Sequence, residues 1–174
     1  MGGDEHHIIR VESDPDRVYK LTHGDNFGCR SYFSPYDPEL AGRHFHGTGN
    51  ADPFYYLQRW LLLNSMSEYQ TRFEGVVPPV SAGHLPRFCI SQPVLPPQTP
   101  TRVNPTEEEI TTALARYGYC KISGDAFLNE ETGILLTDAA PRNVRIIEGA
   151  IILFDALAEL ATDRVIEWAA AHRP

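Results

Sequence analysis

The chain has 174 residues and a formal net charge of −8. That length suits one domain, or a small two-lobed one, with a sizeable core. The acidic balance argues against a direct nucleic-acid binder, which needs a basic face. No stretch is long and apolar enough to suggest a membrane-crossing helix.

Lys20 and Lys121 are the only lysines; the remaining basic side chains are arginines and histidines. Cys29, Cys89 and Cys120 are odd in number and far apart. They read as reduced, structural thiols, and the charged start from Met1 to His7 does not read as a signal peptide, so a cytoplasmic location is expected. No repeat and no low-complexity segment is visible.

The first elements are two strands, over 7–11 and 17–22, joined by a turn at Ser13-Asp14-Pro15-Asp16. Alternation puts Val18, Lys20 and Thr22 on one face of the second strand. A lone lysine there is either a solvated side chain or a phosphate-holding one. Gly2-Gly3 stands either for a remnant glycine loop or for a flexible end.

Residues 23–52 read as irregular, a long loop of the kind that forms lids. His44 and His46, two apart, would share a strand face, but no Cys or carboxylate stands nearby at metal-motif spacing.

Asp52-Pro53 is a helix start, with Asp52 as N-cap and Pro53 in the first turn. A helix is predicted over 53–66, with Phe54, Leu57 and Leu61 as its apolar stripe and Trp60, Leu62 and Leu63 widening it. Two strands follow, over 69–77 and 87–94, separated by Pro78-Pro79 and Gly83. Residues 92–100 are proline-dense and read as a stiff extended connector. The boundary between an N-terminal lobe (about 1–95) and a C-terminal one (about 105–174) falls there.

Thr106-x-x-Glu109 is a capping-box signature. The helix it opens carries Ile110, Leu114 and Tyr117 as its stripe and stops at Gly118. Strands are predicted over 119–122 and 126–128, and the apolar run 134–137 reads as a buried strand. Asp138 sits at its exit, and Pro141 forbids a strand or helix continuing through the loop. Residues 143–147 and 150–154 form a hairpin about Glu148-Gly149. A last helix spans about 162–172, with Val165, Ile166, Trp168 and Ala169.

A hairpin brings its open ends together, so Asn143 and Asp155 should be neighbours, with Asp138 on the loop leading in. One amide and two carboxylates then converge, an oxygen-rich set that suits Mg²⁺. The plainer alternative is that these acids are ordinary turn formers at strand ends.

In order of parts the chain resembles the kinase-like domain of phage and mobile-element polyvalent proteins, a compact relative of the serine/threonine/tyrosine protein kinases. The segments that carry this are RVYKLT, YYLQRWLLLN, FEGVV, RFCISQPV, PTEEEI and LLTDAAPRN…GAIILFD. The resemblance implies an α+β, minimal bilobal kinase-like fold: an antiparallel N-lobe sheet with one helix, and a reduced C-lobe. It implies that Lys20 holds the phosphates of ATP, that Asp138 orients the acceptor hydroxyl, and that Asn143 and Asp155 hold Mg²⁺. Gln92 and Val94 would lie on the connector beside the adenine.

The departures are specific. The helix after the Lys20 strand offers Tyr55, Tyr56 and Gln58 where kinases place a glutamate. Leu136-Thr137 replaces His-Arg before the catalytic Asp, and Asp155-Ala156-Leu157 replaces Asp-Phe-Gly. Three readings follow: a minimal kinase moving the γ-phosphoryl of Mg·ATP to a hydroxyl of a protein or small molecule; an inactive pseudokinase that binds nucleotide or a partner protein; and an α+β interaction module.

Overall fold

A computed structural model describes residues 5–35, 44–49, 51–95 and 104–172. These fold as a mixed α+β chain of antiparallel sheets with three α-helices. Strand β1 (His6–Val11) pairs with β2 (Asp14–Thr22), setting Ile8 opposite Lys20. The expected turn at 13–16 is replaced by a tighter one at Glu12-Ser13. Pro15 and Asp16 belong to β2, in the bulge between the Arg10–Val18 and Val11–Asp14 pairs, where no ladder donor is asked of the proline.

The segment expected to be irregular contains a hairpin of β3 (Cys29–Phe33) and β4 (Phe45–Gly49). Its pairing buries Phe45, and the Phe33 and Phe45 rings stack at 4.9 Å. Gly, His and Asn had masked these short strands in the sequence.

Helix α1 (Pro53–Ser65) starts as predicted: Asp52 Oδ1 accepts from the backbone N–H of Phe54 and Tyr55 at 2.8 and 2.9 Å. Its buried face is not the predicted one. Tyr56, Arg59, Trp60 and Leu63 face inward, whereas Phe54 and Leu61 are 84% and 70% exposed. Apolar residues surround this helix, so periodicity alone selects no face.

Strands β5 (Arg72–Val77) and β6 (Arg87–Pro93) complete the first sheet, in the order β1-β2-β6-β5. β6 lies against β2 with Ile90 opposite Lys20. The connector expected at about 95–104 falls mostly outside the described residues.

Helix α2 (Glu107–Ala115) has the full capping box between Thr106 and Glu109. Ile110 and Leu114 are buried; Tyr117, expected on the stripe, is exposed beyond the helix end. Strands β7 (Cys120–Ser123), β8 (Ala126–Asn129) and β9 (Ile134–Thr137) follow, and β10 (Val144–Ile147) and β11 (Ala150–Leu153) form the predicted hairpin. Glu148 and Gly149 have φ of 51° and 84°, the paired left-handed conformation of a tight hairpin turn.

Strand β12 (Leu157–Leu160) was not legible in the sequence. Ala158 and Glu159 carry little β preference, and the strand exists by pairing with β9 in the sheet β12-β9-β8-β7. All four residues of β9 are buried, because both faces of this sheet are covered. One face joins a core running from Tyr56, Trp60 and Phe88 through Ile110, Leu114 and Leu136 to Leu153. The other carries Leu128 and Leu135 against Phe45 and against Val165 and Ala169 of α3 (Asp163–Ala171). No helix among the described residues is long and apolar enough to cross a membrane.

Candidate functional site

The site forms where the first sheet meets the β11–β12 link. Alternation on β2 turns Lys20 inward from the sheet, and it is 7% exposed. Its Nζ donates to the Phe154 carbonyl at 3.1 Å and to Asp155 Oδ1 at 3.2 Å. The lysine and the late carboxylate predicted to share a cleft therefore touch. Asp155 remains accessible, with 40% of its side chain exposed.

Asn143 stands at the other open end of the β10–β11 hairpin, which is closed by the Phe154 N–H donating to the Asn143 carbonyl at 3.2 Å. Asn143 Nδ2 donates to the Asp138 carbonyl at 2.9 Å, which ties the amide to the loop after β9. Asp138 itself has φ of 52°, a left-handed conformation that aspartate tolerates better than most residues, and its carboxylate is paired with Arg142. Burial pushes the Asp138 pKa up, against the opposing pull of Arg142. Cys29 of the β3–β4 hairpin lies within the field of Asp138, Asp155, Glu5 and Arg59, and burial raises its thiol pKa.

Three residues of the centre were missed in the sequence. Arg59 is fully buried on α1 and uses every nitrogen of its guanidinium. Its Nε donates to the Ala156 carbonyl at 2.9 Å, Nη2 to the Asp155 carbonyl at 3.0 Å, and Nη1 to Glu5 Oε1 at 2.6 Å. Nη2 also lies 3.6 Å from Asp155 Oδ1. Burial works against the charge on Arg59, but Glu5 and Asp155 more than offset it and raise its pKa. The same cations outweigh burial at the carboxylates: Arg59 holds Glu5 low, and Lys20 with Arg59 holds Asp155 low. Burial lowers the Lys20 pKa despite Asp155.

His6 completes the group. It is 3% exposed, its Nε2 hydrogen-bonds the Tyr56 hydroxyl at 2.9 Å, and burial depresses its pKa to about 4. Glu5, His6 and Asp155 offer ligand atoms within 4.8 Å of one another. His6 Nε2 is already engaged by Tyr56, and Glu5 Oε1 by Arg59 and the Cys29 N–H, so these two groups are bonded within the protein. A charged residue three positions after Tyr56 and four before Leu63, on the inward face of an apolar helix, was the signal available for Arg59.

The connector residues are placed differently from the rest. The Gln92 side chain is buried, its Nε2 donating to the Phe154 carbonyl at 3.1 Å and to Thr71 Oγ1 at 3.0 Å. The Val94 N–H donates to the Asp16 carbonyl at 2.7 Å. Gln92 thus braces the same carbonyl as Lys20, and the Val94 amide is engaged on β2. His44 of the histidine pair packs its ring 4.7 Å from that of Trp168.

A cavity of about 850 Å³ opens between the end of α1 and the β10–β11 hairpin, with Met66, Tyr69, Pro93, Tyr117 and Ile152 in its wall. Lys20, Asp138, Asn143 and Asp155 are not among its lining residues.

No family model, curated protein or solved structure matches the chain. The site is therefore read on its chemistry alone. Asn143 and Asp155 stand at adjacent ends of the hairpin, both carry side-chain oxygen, the donor type that a hard divalent cation takes, and Lys20 lies beside Asp155.

Proposed function

We propose that the protein is a minimal kinase-like phosphotransferase that uses Mg·ATP and moves a phosphoryl group to a hydroxyl. The observation that carries this is the 3.2 Å approach of Lys20 Nζ to Asp155 Oδ1 from opposite ends of the chain. A strand lysine followed, after other strands and helices, by Asn143 and Asp155 at the two ends of a hairpin supports a kinase-type reading.

Lys20 would pass from Asp155 to the phosphates, a short transfer for a flexible side chain. Asn143 and Asp155 would hold Mg²⁺, which offsets charge on the phosphate oxygens. Asp138, on a loop fixed by Asn143, would orient the acceptor hydroxyl, and its raised pKa strengthens it as a proton acceptor. Phosphoryl transfer asks mainly for positioning and charge neutralisation, which this set supplies.

A second reading, a pseudokinase or protein-interaction module, is favoured by the double occupancy of Asp155 Oδ1 by Lys20 and Arg59, which balances its charge without a metal. Radiolabel transfer from [γ-³²P]ATP, compared between the native chain and Asp138→Asn, separates the two. Transfer by the native chain and its loss in D138N, with Mg·ATP binding kept, supports the phosphotransferase. Binding without transfer in either protein supports the pseudokinase, and absence of binding supports the interaction module.

A further inference from the structure

We infer that Arg59 is the positioning residue for the metal side of this site, fixing Asp155 from helix α1. The inference rests on the phosphotransferase reading above and assigns a role to a residue which that reading leaves unused. In kinase-type sites the helix supplies a glutamate that pairs with the strand lysine. Here the helix supplies a cation, and Lys20 pairs directly with Asp155.

The geometry of Arg59 is that of a clamp. Two of its nitrogens hold the consecutive carbonyls of Asp155 and Ala156, at 3.0 and 2.9 Å, so the backbone at Asp155 is held to α1. Nη2 faces Asp155 Oδ1 at 3.6 Å. The third arm is anchored by Glu5, whose Oε1 also accepts from the Cys29 N–H at 2.9 Å. The clamp therefore joins the start of β1, helix α1, the β3–β4 hairpin and the β11–β12 link at one guanidinium.

Lys20 and Arg59 share Oδ1 of Asp155. When Lys20 moves to a phosphate, Asp155 loses its nearer cation. Arg59 would then remain to hold the Asp155 backbone and carboxylate in place. A lysine at position 59 would keep the charge but lose the planar fork that grips two carbonyls and a carboxylate together. Charge and orientation can thus be separated in one substitution.

The experiment is a titration of the full-length chain with Mn²⁺ in the presence of saturating ATP, followed by electron paramagnetic resonance. The variants are Arg59→Lys, Asp155→Asn and the double variant; ATP affinity without metal is measured in parallel. R59K should weaken Mn²⁺ binding by about tenfold or more, the usual effect of removing a group that orients a metal ligand. Metal-free ATP affinity should stay within about twofold, and the double variant should bind Mn²⁺ no more weakly than D155N.

Equal Mn²⁺ affinity in R59K and the native chain would overturn the inference while leaving the phosphotransferase reading intact. So would an equal loss of metal-free ATP affinity, which would make Arg59 merely structural. A native chain that binds neither ATP nor Mn²⁺ would remove both. Should R59K not fold, Glu5→Gln, which loosens one arm of the clamp, is read by the same measure: weaker Mn²⁺ binding supports the inference and unchanged binding overturns it.

Discussion

Lys20 and Asp155 are 135 positions apart in the chain, and their charged atoms stand 3.2 Å apart in the fold. Strand β2 brings one and the exit of the β10–β11 hairpin brings the other. A contact of this separation costs considerable chain entropy to form. The surrounding frame supports it: the Phe154 carbonyl accepts from both Lys20 and Gln92, and Arg59 holds the next two carbonyls.

On the phosphotransferase reading, removing either charge should weaken Mg·ATP binding, through the phosphates at Lys20 and through the metal at Asp155. If the native chain binds as proposed, Mg·ATP at about 100 times its Kd should add about 2.7 kcal/mol of stability, or roughly 5–10 °C in Tm for a chain of this size. Lys20→Met and Asp155→Asn should both reduce that shift in differential scanning fluorimetry. A native-sized shift in either variant would remove that residue from the site.

Arg59→Ala should be far more disruptive than an ordinary surface change. It takes the cation from Glu5 and the Arg59 donors from two backbone carbonyls in a buried setting. Breaking a buried ion pair from one side costs about 3–5 kcal/mol. Urea unfolding followed by circular dichroism should show a loss of that order; a loss below about 1 kcal/mol would mean that solvent reaches the guanidinium.

Acid should destabilise the protein well above the usual carboxylate range. His6 is depressed from 6.5 to about 4, chiefly by burial. Below pH 6.5 the unfolded chain binds a proton there that the folded chain refuses, so stability falls between pH 6.5 and 4 by on the order of 3 kcal/mol. Glu5 and Asp155, held low by Arg59 and Lys20, keep their contribution through that window and lose it at still lower pH. The measurable outcome is a slope of urea midpoint against pH between 6.5 and 4 that His6→Gln flattens; an unchanged slope would show that His6 titrates normally.

What the sequence made legible was local. The β10–β11 hairpin with its Glu148-Gly149 turn, the capping box at Thr106 and the N-cap at Asp52 are each written in a few adjacent residues, and each formed as read. Elements that depend on distant partners were hidden. Strand β12 needs β9, and the β3–β4 hairpin needs Trp168 of α3. The site divides along the same line. Asp138, Asn143 and Asp155 share one short segment whose geometry a hairpin dictates. Arg59 and Glu5 matter only because the fold packs α1 and the start of β1 onto Asp155. The inward face of α1 could not be picked from a helix with apolar residues nearly all round.

The β3–β4 hairpin packs against α1, β9 and β12, and its anchor is Phe45. That ring is 5% exposed, stacks 4.9 Å from Phe33, and meets Trp168 of α3 edge-on at 6.1 Å. Leu128, Leu135 and Val165 close the cluster. At the far side of the hairpin, the Ser31 and Thr137 hydroxyls hydrogen-bond each other one residue before Asp138, and the Cys29 N–H donates to Glu5. Phe45→Ala should therefore cost about 3–5 kcal/mol, as large aromatic truncations in cores do. It should also raise amide hydrogen exchange at residues 29–33 and at 137–138 more than in β5, which shares none of this cluster. An exchange increase confined to the hairpin itself would show that Ser31 and Cys29 stay docked without it, and that the wall beside Asp138 stands independently of α3.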